Sequence, residues 1–131
     1  MSKRILETPS APSPVGPYSV AVASGDLVFI SGQVALDPGG DGGASDDIES
    51  QTRRVLDNLG RILSDLDLDY ADVVKTTVFL ADIGDYPKVN EIYAEYFGES
   101  PPARSAFQAG ALPGGFSIEI EAIAARRGEN G

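Results

Sequence analysis

Two charged side chains, Arg104 and Glu119, have the types and surroundings needed to act together on a small anionic molecule. Arg104 follows the segment Pro-Pro-Ala, which sets the backbone there as extended. Glu119 lies in the alternating segment 116–123, which is typical of a strand. A guanidinium binds a carboxylate in a planar, two-pronged geometry, and a carboxylate on a partly buried strand can orient a water molecule. The pair predicts a site for a small anion and a water.

The residues alone leave other interpretations open. Arg104 could be a surface charge, and Glu119 with Glu121 could form the wet face of an edge strand. Gly32 lies inside an apolar strand segment, where a glycine marks either a plain bulge or the close approach of a ligand or backbone.

The elements around these residues follow from the hydrophobic pattern. Strands are predicted at 18–24, 27–36 and 73–80, and two more complete the chain after the Pro-Pro pair. A first helix begins at a cap on Ser45 or Asp46, and a second, preceded by a cap at Asp82, runs from about 86 to 97 and ends at Gly98. The order predicts one α+β domain over residues 1–131, a mixed sheet with two helices on one face. The segment from 73 to 107 is expected to form a parallel crossover.

The face of the sheet without helices is expected to be apolar. It would carry Val28, Ile30 and Val34 or their alternates, Ala106 or Phe107, and Ile118 or Ile120. An exposed apolar face of that size predicts an oligomer.

Strand spacing bears on where the predicted site lies. If 104–110 paired with 116–125 as a hairpin, Arg104 would face about Ile123, and Glu119 would lie four residues along, about 13 Å away. An intervening strand would bring the pair no closer. The sequence therefore predicts a site shared between neighbouring subunits.

The composition excludes several kinds of chemistry. The 131 residues carry a net charge of −10, with no His and no Cys. Triads that use His or Cys, and the usual zinc sites, are therefore excluded, and no metal is predicted. The negative charge argues against sequence-independent nucleic-acid binding. High acid content with three Lys predicts a halophilic surface suited to concentrated salt, and an ordinary acidic protein is the alternative.

Hydropathy indicates no membrane partner. There is no run of eighteen apolar residues, and the first residues lack the apolar core of a signal peptide. A soluble, cytoplasmic protein is expected.

The chain resembles the RidA/YjgF family of enamine/imine deaminases from end to end. The resemblance lies in segments 11–18, 30–33, 72–80, 89–93, 102–105 and 118–124. It implies a chorismate-mutase-like, six-stranded sheet and a homotrimer with a central β-barrel and sites at the interfaces. The activity implied is hydrolysis of 2-iminobutanoate and 2-iminopropanoate, which arise from pyridoxal-phosphate dehydratases, to 2-oxo acids and ammonia. No cofactor is implied.

The resemblance also implies roles for residues of this chain. Arg104 would bind the substrate carboxylate, and Glu119 would position the attacking water and take its proton. The other implied substrate-binding residues are Tyr18, Ser31, Gly32, Asn90 and Ala106. Many members have Cys at the position of Ala106, where a backbone carbonyl that holds the water would leave Ala adequate. Asn90 as a helix cap and Tyr18 as a packing residue are the structural alternatives.

Two other functions remain as alternatives. One is a ligand-binding or chaperone-like stress protein without turnover. The other is a ribonuclease or translation inhibitor, against which the missing His and the lack of a basic patch both weigh.

Overall fold

A six-stranded mixed sheet with two helices forms the architecture, in a computed structural model that describes residues 2–126. The strands are β1 (Arg4–Leu6), β2 (Ala21–Ser24), β3 (Leu27–Gln33), β4 (Val73–Leu80), β5 (Ala103–Gln108) and β6 (Ile118–Ala125). The helices are α1 (Ile48–Asp65) and α2 (Tyr86–Phe97). Three short 3-10 turns lie at Tyr70–Asp72, Ile83–Asp85 and Pro113–Gly115.

The strand order across the sheet is β1-β2-β3-β6-β4-β5. β4 and β5 are parallel, as α2 between them requires, and the other neighbouring pairs are antiparallel. The predicted parallel unit and the mixed sheet are confirmed. β1 had no separate prediction.

Both helices cover one face of the sheet. The residues of β6 that alternate toward the helices are therefore fully or almost fully buried. These are Ile118, Ile120, Ala122 and Ala124. The opposite face, called here the open face, carries the alternate positions of each strand. Phe29 and Phe107 lie there with 42% and 48% of their surface exposed. The prediction that Ile118 or Ile120 would lie on the open face is wrong, since Glu119 and Glu121 occupy it instead.

Three buried polar side chains attach the helices to the sheet. Gln51 of α1 accepts a hydrogen bond from the backbone N–H of Ser117 (2.9 Å), directly before β6. Asn58 donates to the carbonyls that follow β3, and the Thr76 hydroxyl of β4 is bonded to that of Tyr93 on α2 (2.7 Å). Because buried polar groups are costly unless paired, these bonds fix the register of both helices on the sheet.

The helix ends differ in detail from the sequence interpretation. Asp47, one residue later than predicted, caps α1 by accepting from the N–H of Ser50 (2.7 Å). Asp82 caps the 3-10 turn before α2, not α2 itself. Gly98 ends α2 with an ordinary helical φ of −53°, so it does not use the left-handed conformation that favours glycine there. None of the helices within residues 2–126 is long and apolar enough to cross a membrane.

Candidate functional site

Arg104 lies on the helix-covered side of β5, a strand at the edge of the sheet. Its Nη2 donates to the hydroxyl of Tyr86 (2.9 Å). The guanidinium carbon lies 5.4 Å from the ring centre of Tyr86 and 4.8 Å from that of Tyr93. Within residues 2–126 this guanidinium forms no ion pair. The α2 tyrosines thus hold a half-buried positive charge without neutralising it, which suits an anionic ligand.

Asn90 and Ala106 lie on the same side of the sheet as Arg104. Ala106 is two residues further along β5 and is partly buried. Asn90 stands on α2 between Tyr86 and Tyr93, and its Oδ1 is buried without a hydrogen-bond partner in the described part of the chain. An unpaired buried carbonyl is costly, so Asn90 is not explained as a helix cap and offers an acceptor to a ligand or water.

Glu119 lies on the open face of β6, beside a cavity of about 550 Å³. Tyr18, Ser31, Gly32 and Glu121 also line this cavity. Burial raises the pKa of the Glu119 carboxyl above its ordinary value, and the charge of Glu121 raises that pKa further. A carboxylate with a raised pKa is a stronger base toward a bound water.

The backbone at Gly32 leaves no room for a side chain beside the Glu119 carboxylate. A Cβ added at Gly32 would lie 2.0 Å from Glu119 Oε2 and 2.8 Å from its Cδ. The register of β3 against β6 also shifts between Ile30 and Gln33, so this segment is a bulge as well. The bulge interpretation of this glycine is confirmed, and the group that lies close to it is the Glu119 side chain.

Replacing Gly32 with alanine is expected to displace the Glu119 carboxylate with little cost to the fold. The colliding atoms are the end of a flexible side chain, so the carboxylate moves and the backbone stays. If Glu119 orients the attacking water, kcat falls by about tenfold to a hundredfold. The matched control is Gly39→Ala, whose Cβ would meet nothing within 4 Å. Equal kcat values for the two variants would contradict a role for this contact.

The raised pKa of Glu119 makes the wild-type protein less stable as the pH rises. Because the folded state binds this proton more tightly than the unfolded state, protonated Glu119 favours folding. That contribution is complete below the ordinary pKa of 4.5 and is lost as the pH rises through the raised pKa of the folded state. Glu119→Gln is always neutral there and is expected to be more stable than wild type at pH 7.5 by up to about 1 kcal/mol, since solvent screens this half-exposed group.

Urea unfolding at matched protein concentration checks this expectation. The difference between Glu119→Gln and wild type is expected to shrink as the pH falls toward 4.5. Glu121→Gln, which removes the neighbouring charge and leaves Glu119 in place, is the comparison variant. A Glu119→Gln protein no more stable than wild type at pH 7.5 would show that burial and the charge of Glu121 do not destabilise the ionised carboxylate.

Arg104 and Glu119 do not meet within one chain. β4 lies between β5 and β6, and Arg104 pairs with Thr76 while Glu119 pairs with Phe79. The two side chains are therefore two strands and three residues apart, about 14 Å in the plane of the sheet. They also point to opposite faces, since Thr76 is buried under α2 and Glu119 lies on the open face. The two strands do not pair as a hairpin, because β4 lies between β5 and β6.

The sequence-predicted residues thus form two groups. Arg104, Asn90 and Ala106 lie on the helix-covered side, and Tyr18, Ser31, Gly32 and Glu119 surround the cavity at the open face. Ser31 also donates from its hydroxyl to the carbonyl of Ser19 (2.7 Å).

The sequence analysis does not identify Tyr86 or Tyr93, the two residues that contact the Arg104 guanidinium. The available signal was their spacing, since residues 86, 90 and 93 place two phenols and an amide on one helical stripe. Polar atoms on a buried stripe indicate a partner beneath the helix.

No group of three or more possible ligand side chains that could hold a metal ion occurs within residues 2–126.

Comparison with known proteins places these residues in context. The family model described as endoribonuclease L-PSP matches residues 8–126. The human 2-iminobutanoate/2-iminopropanoate deaminase is 46% identical over 122 residues, which cover 93% of this chain and 89% of the human protein.

Two solved Escherichia coli structures share the fold. The YjgF gene product has a TM-score of 0.84 and 41% identity, and the match covers 96% of this chain and all 100% of that one. TdcF with bound serine has a TM-score of 0.86 and 38% identity, and the match covers 95% of this chain and 99% of TdcF.

Proposed function

Because this chain belongs to the RidA/YjgF family, we propose that it hydrolyses 2-imino acids such as 2-iminobutanoate and 2-iminopropanoate to 2-oxo acids and ammonia. The observation that carries the proposal is the guanidinium of Arg104, half-buried against two tyrosines and without an acidic partner in residues 2–126. Such a group fits the carboxylate of a small 2-imino acid. The relative TdcF was solved with serine, which carries an α-carboxylate.

The proposed active unit is a homotrimer in which each site lies between two chains. Arg104, Asn90 and Ala106 come from one chain, and Tyr18, Ser31, Gly32 and Glu119 come from its neighbour. Two features support this arrangement: the opposite faces of Arg104 and Glu119, and the exposed apolar residues of the open face, Leu27, Phe29 and Phe107. An apolar sheet face is stabilised by burial against another copy.

The proposed reaction uses one activated water. Arg104 holds the substrate carboxylate so that the imine carbon faces the water at Glu119. As the water oxygen bonds to that carbon, the Glu119 carboxylate accepts a proton and the C=N electron pair moves to nitrogen. Glu119 returns that proton to the nitrogen, which gives the neutral carbinolamine. Glu119 then carries the proton of the new hydroxyl to the same nitrogen, so that the C–N bond breaks, ammonia leaves, C=O forms and the carboxylate is regenerated. An imine is already electrophilic, so the step needs no covalent nucleophile and no cofactor.

A coupled assay tests the proposal. A threonine dehydratase generates 2-iminobutanoate, and its decay is followed by trapping the imine with semicarbazide in the presence and absence of this protein. Less trapped imine with more protein is expected. Trapping that is unchanged at any protein concentration would exclude the deaminase.

A second candidate function is that of a chaperone-like protein that binds without turnover. The exposed apolar residues of the open face favour this candidate. Protection of a client from heat aggregation that survives Arg104→Ala would favour this candidate. A ribonuclease, the activity in the description of the matching family model, fits the net charge of −10 poorly. Degradation of a labelled RNA by the purified protein would support it instead.

A further inference from the structure

The hydroxyl of Tyr86 contacts Arg104 but has no role in the proposed reaction. It lies at the first residue of α2 and accepts a hydrogen bond from Arg104 Nη2 at 2.9 Å. We propose that Tyr86 is a positioning residue, which fixes the guanidinium of Arg104 in one orientation before a carboxylate ligand arrives. The kinetic part of this proposal rests on the proposed deaminase function, and its spectroscopic part does not.

The need for such a residue follows from the place of Arg104 in the sheet. β5 is an edge strand, so the guanidinium has neighbours from β4 and α2 but no strand of this chain on its outer side. The Tyr93 ring, 4.8 Å from the guanidinium carbon, limits tilting but does not stop rotation of a planar group over its face. A directional hydrogen bond to one nitrogen supplies the missing restraint.

The hydrogen bond leaves most of the guanidinium available. Arginine has five N–H donors in a fixed fork, and Tyr86 uses one of them. The remaining donors can still form the two-pronged contact with a carboxylate. Because the side chain is ordered in advance, the ligand does not have to order it on binding, and the affinity is higher.

Helix α2 contains its own matched controls, since three of its tyrosines have different hydroxyl partners. The Tyr86 hydroxyl meets Arg104, the Tyr93 hydroxyl meets Thr76 (2.7 Å), and the Tyr96 hydroxyl donates to Asp57 (2.8 Å). A Tyr→Phe change at each position removes the same atom and keeps the ring. Only Tyr86→Phe removes the hydrogen bond to the guanidinium.

The direct test is the rotation of the Arg104 side chain, measured by NMR on ¹⁵N-labelled protein without ligand. Restricted rotation about the Nε–Cζ bond is expected to give separate Nη signals for Arg104 in wild type and in Tyr96→Phe. In Tyr86→Phe these signals are expected to merge. Arg104→Lys provides the assignment, because it removes the signals.

Kinetics provide the second readout. Tyr86→Phe is expected to raise KM for the imino acid by about tenfold, the effect of one hydrogen bond to a charged group, with kcat changed less than twofold. The dissociation constant for 2-oxobutanoate, measured by calorimetry, is expected to rise in parallel. Tyr93→Phe loses a buried bond to Thr76, so it is expected to lower the melting temperature more than Tyr86→Phe while raising KM less.

The possible results of these experiments distinguish a failure of the positioning role of Tyr86 from a failure of the deaminase function. Arg104 Nη signals already merged in wild type, or equally resolved in Tyr86→Phe, would overturn the positioning role. A fall in kcat at constant KM would also overturn it. If the signals behave as expected but wild type hydrolyses no imine, the deaminase function fails and the positioning of Arg104 stands.

Discussion

Arg104→Ala is expected to lower kcat/KM for 2-iminobutanoate by about a thousandfold, or about 4 kcal/mol of transition-state stabilisation. The guanidinium is the charge proposed to hold the substrate carboxylate, and among the described residues no second cation stacks on the ring of Tyr86 or Tyr93. Arg104→Lys keeps the charge but loses the two-pronged geometry, so an intermediate loss is expected. The measurement is the rate of imine decay in the coupled dehydratase assay.

Arg53→Ala is the matched control for this loss. Arg53 pairs with Glu95 at 3.0 Å between the exposed faces of α1 and α2, away from Arg104. Its removal is expected to leave kcat/KM unchanged and to change the stability little, because solvent screens this exposed ion pair. If Arg104→Ala retained the wild-type kcat/KM, the carboxylate would bind elsewhere and the proposed site would be wrong.

Mixing two inactive variants is expected to restore activity. Arg104→Ala lacks the cation and Glu119→Gln lacks the base, and each alone is expected to be nearly inactive. When the two are unfolded together in equal amounts and refolded, every mixed trimer of the proposed arrangement contains one site with both groups intact. With random assembly, the specific activity should reach about one quarter of wild type.

The recovery depends on the geometry of the sheet. Arg104 and Glu119 point to opposite faces with β4 between them, so the proposed site takes the cation of one chain and the carboxylate of another. Refolding the variants separately and then mixing them briefly is the control, which should remain inactive. If co-refolding restored nothing, both groups would have to act within the same chain.

The fold was largely predictable because its signals are local. β4 is a continuous β-branched and apolar run, and α2 carries a clear 3-4 stripe, so both were placed at the observed residues. The helix ends were less predictable than the helices themselves. Several neighbouring side chains at the start of α1 could accept the same hydrogen bond, and in the structure Asp47 accepts it.

The faces of β6 were less predictable. Alternation shows that Ile118 and Ile120 share a face but not which face the helices cover, and here the charged alternates Glu119 and Glu121 take the open face. The choice depends on where α1 docks, through contacts such as that of Gln51 with Ser117, 66 residues away in the chain.

The candidate site, like the fold, could be predicted only in part from the sequence. The residue types of Arg104 and Glu119 indicated an anion and a water, and strand spacing indicated that the two do not meet within one chain. The contact between Arg104 and Tyr86 spans 18 residues and joins a strand to a helix. No pattern along the sequence specifies such a contact, because it depends on how α2 crosses the sheet.

The position of β6 has a consequence for synthesis. β6 is the last of the described strands to leave the ribosome, yet it lies in the middle of the sheet, between β3 and β4. Until it emerges, the β1-β2-β3 segment and the β4-β5 segment each expose an unpaired strand edge, which is prone to pair with other chains. Glu119 arrives on that same strand, so the nascent chain gains its proposed general base in the step that joins the two halves of the sheet.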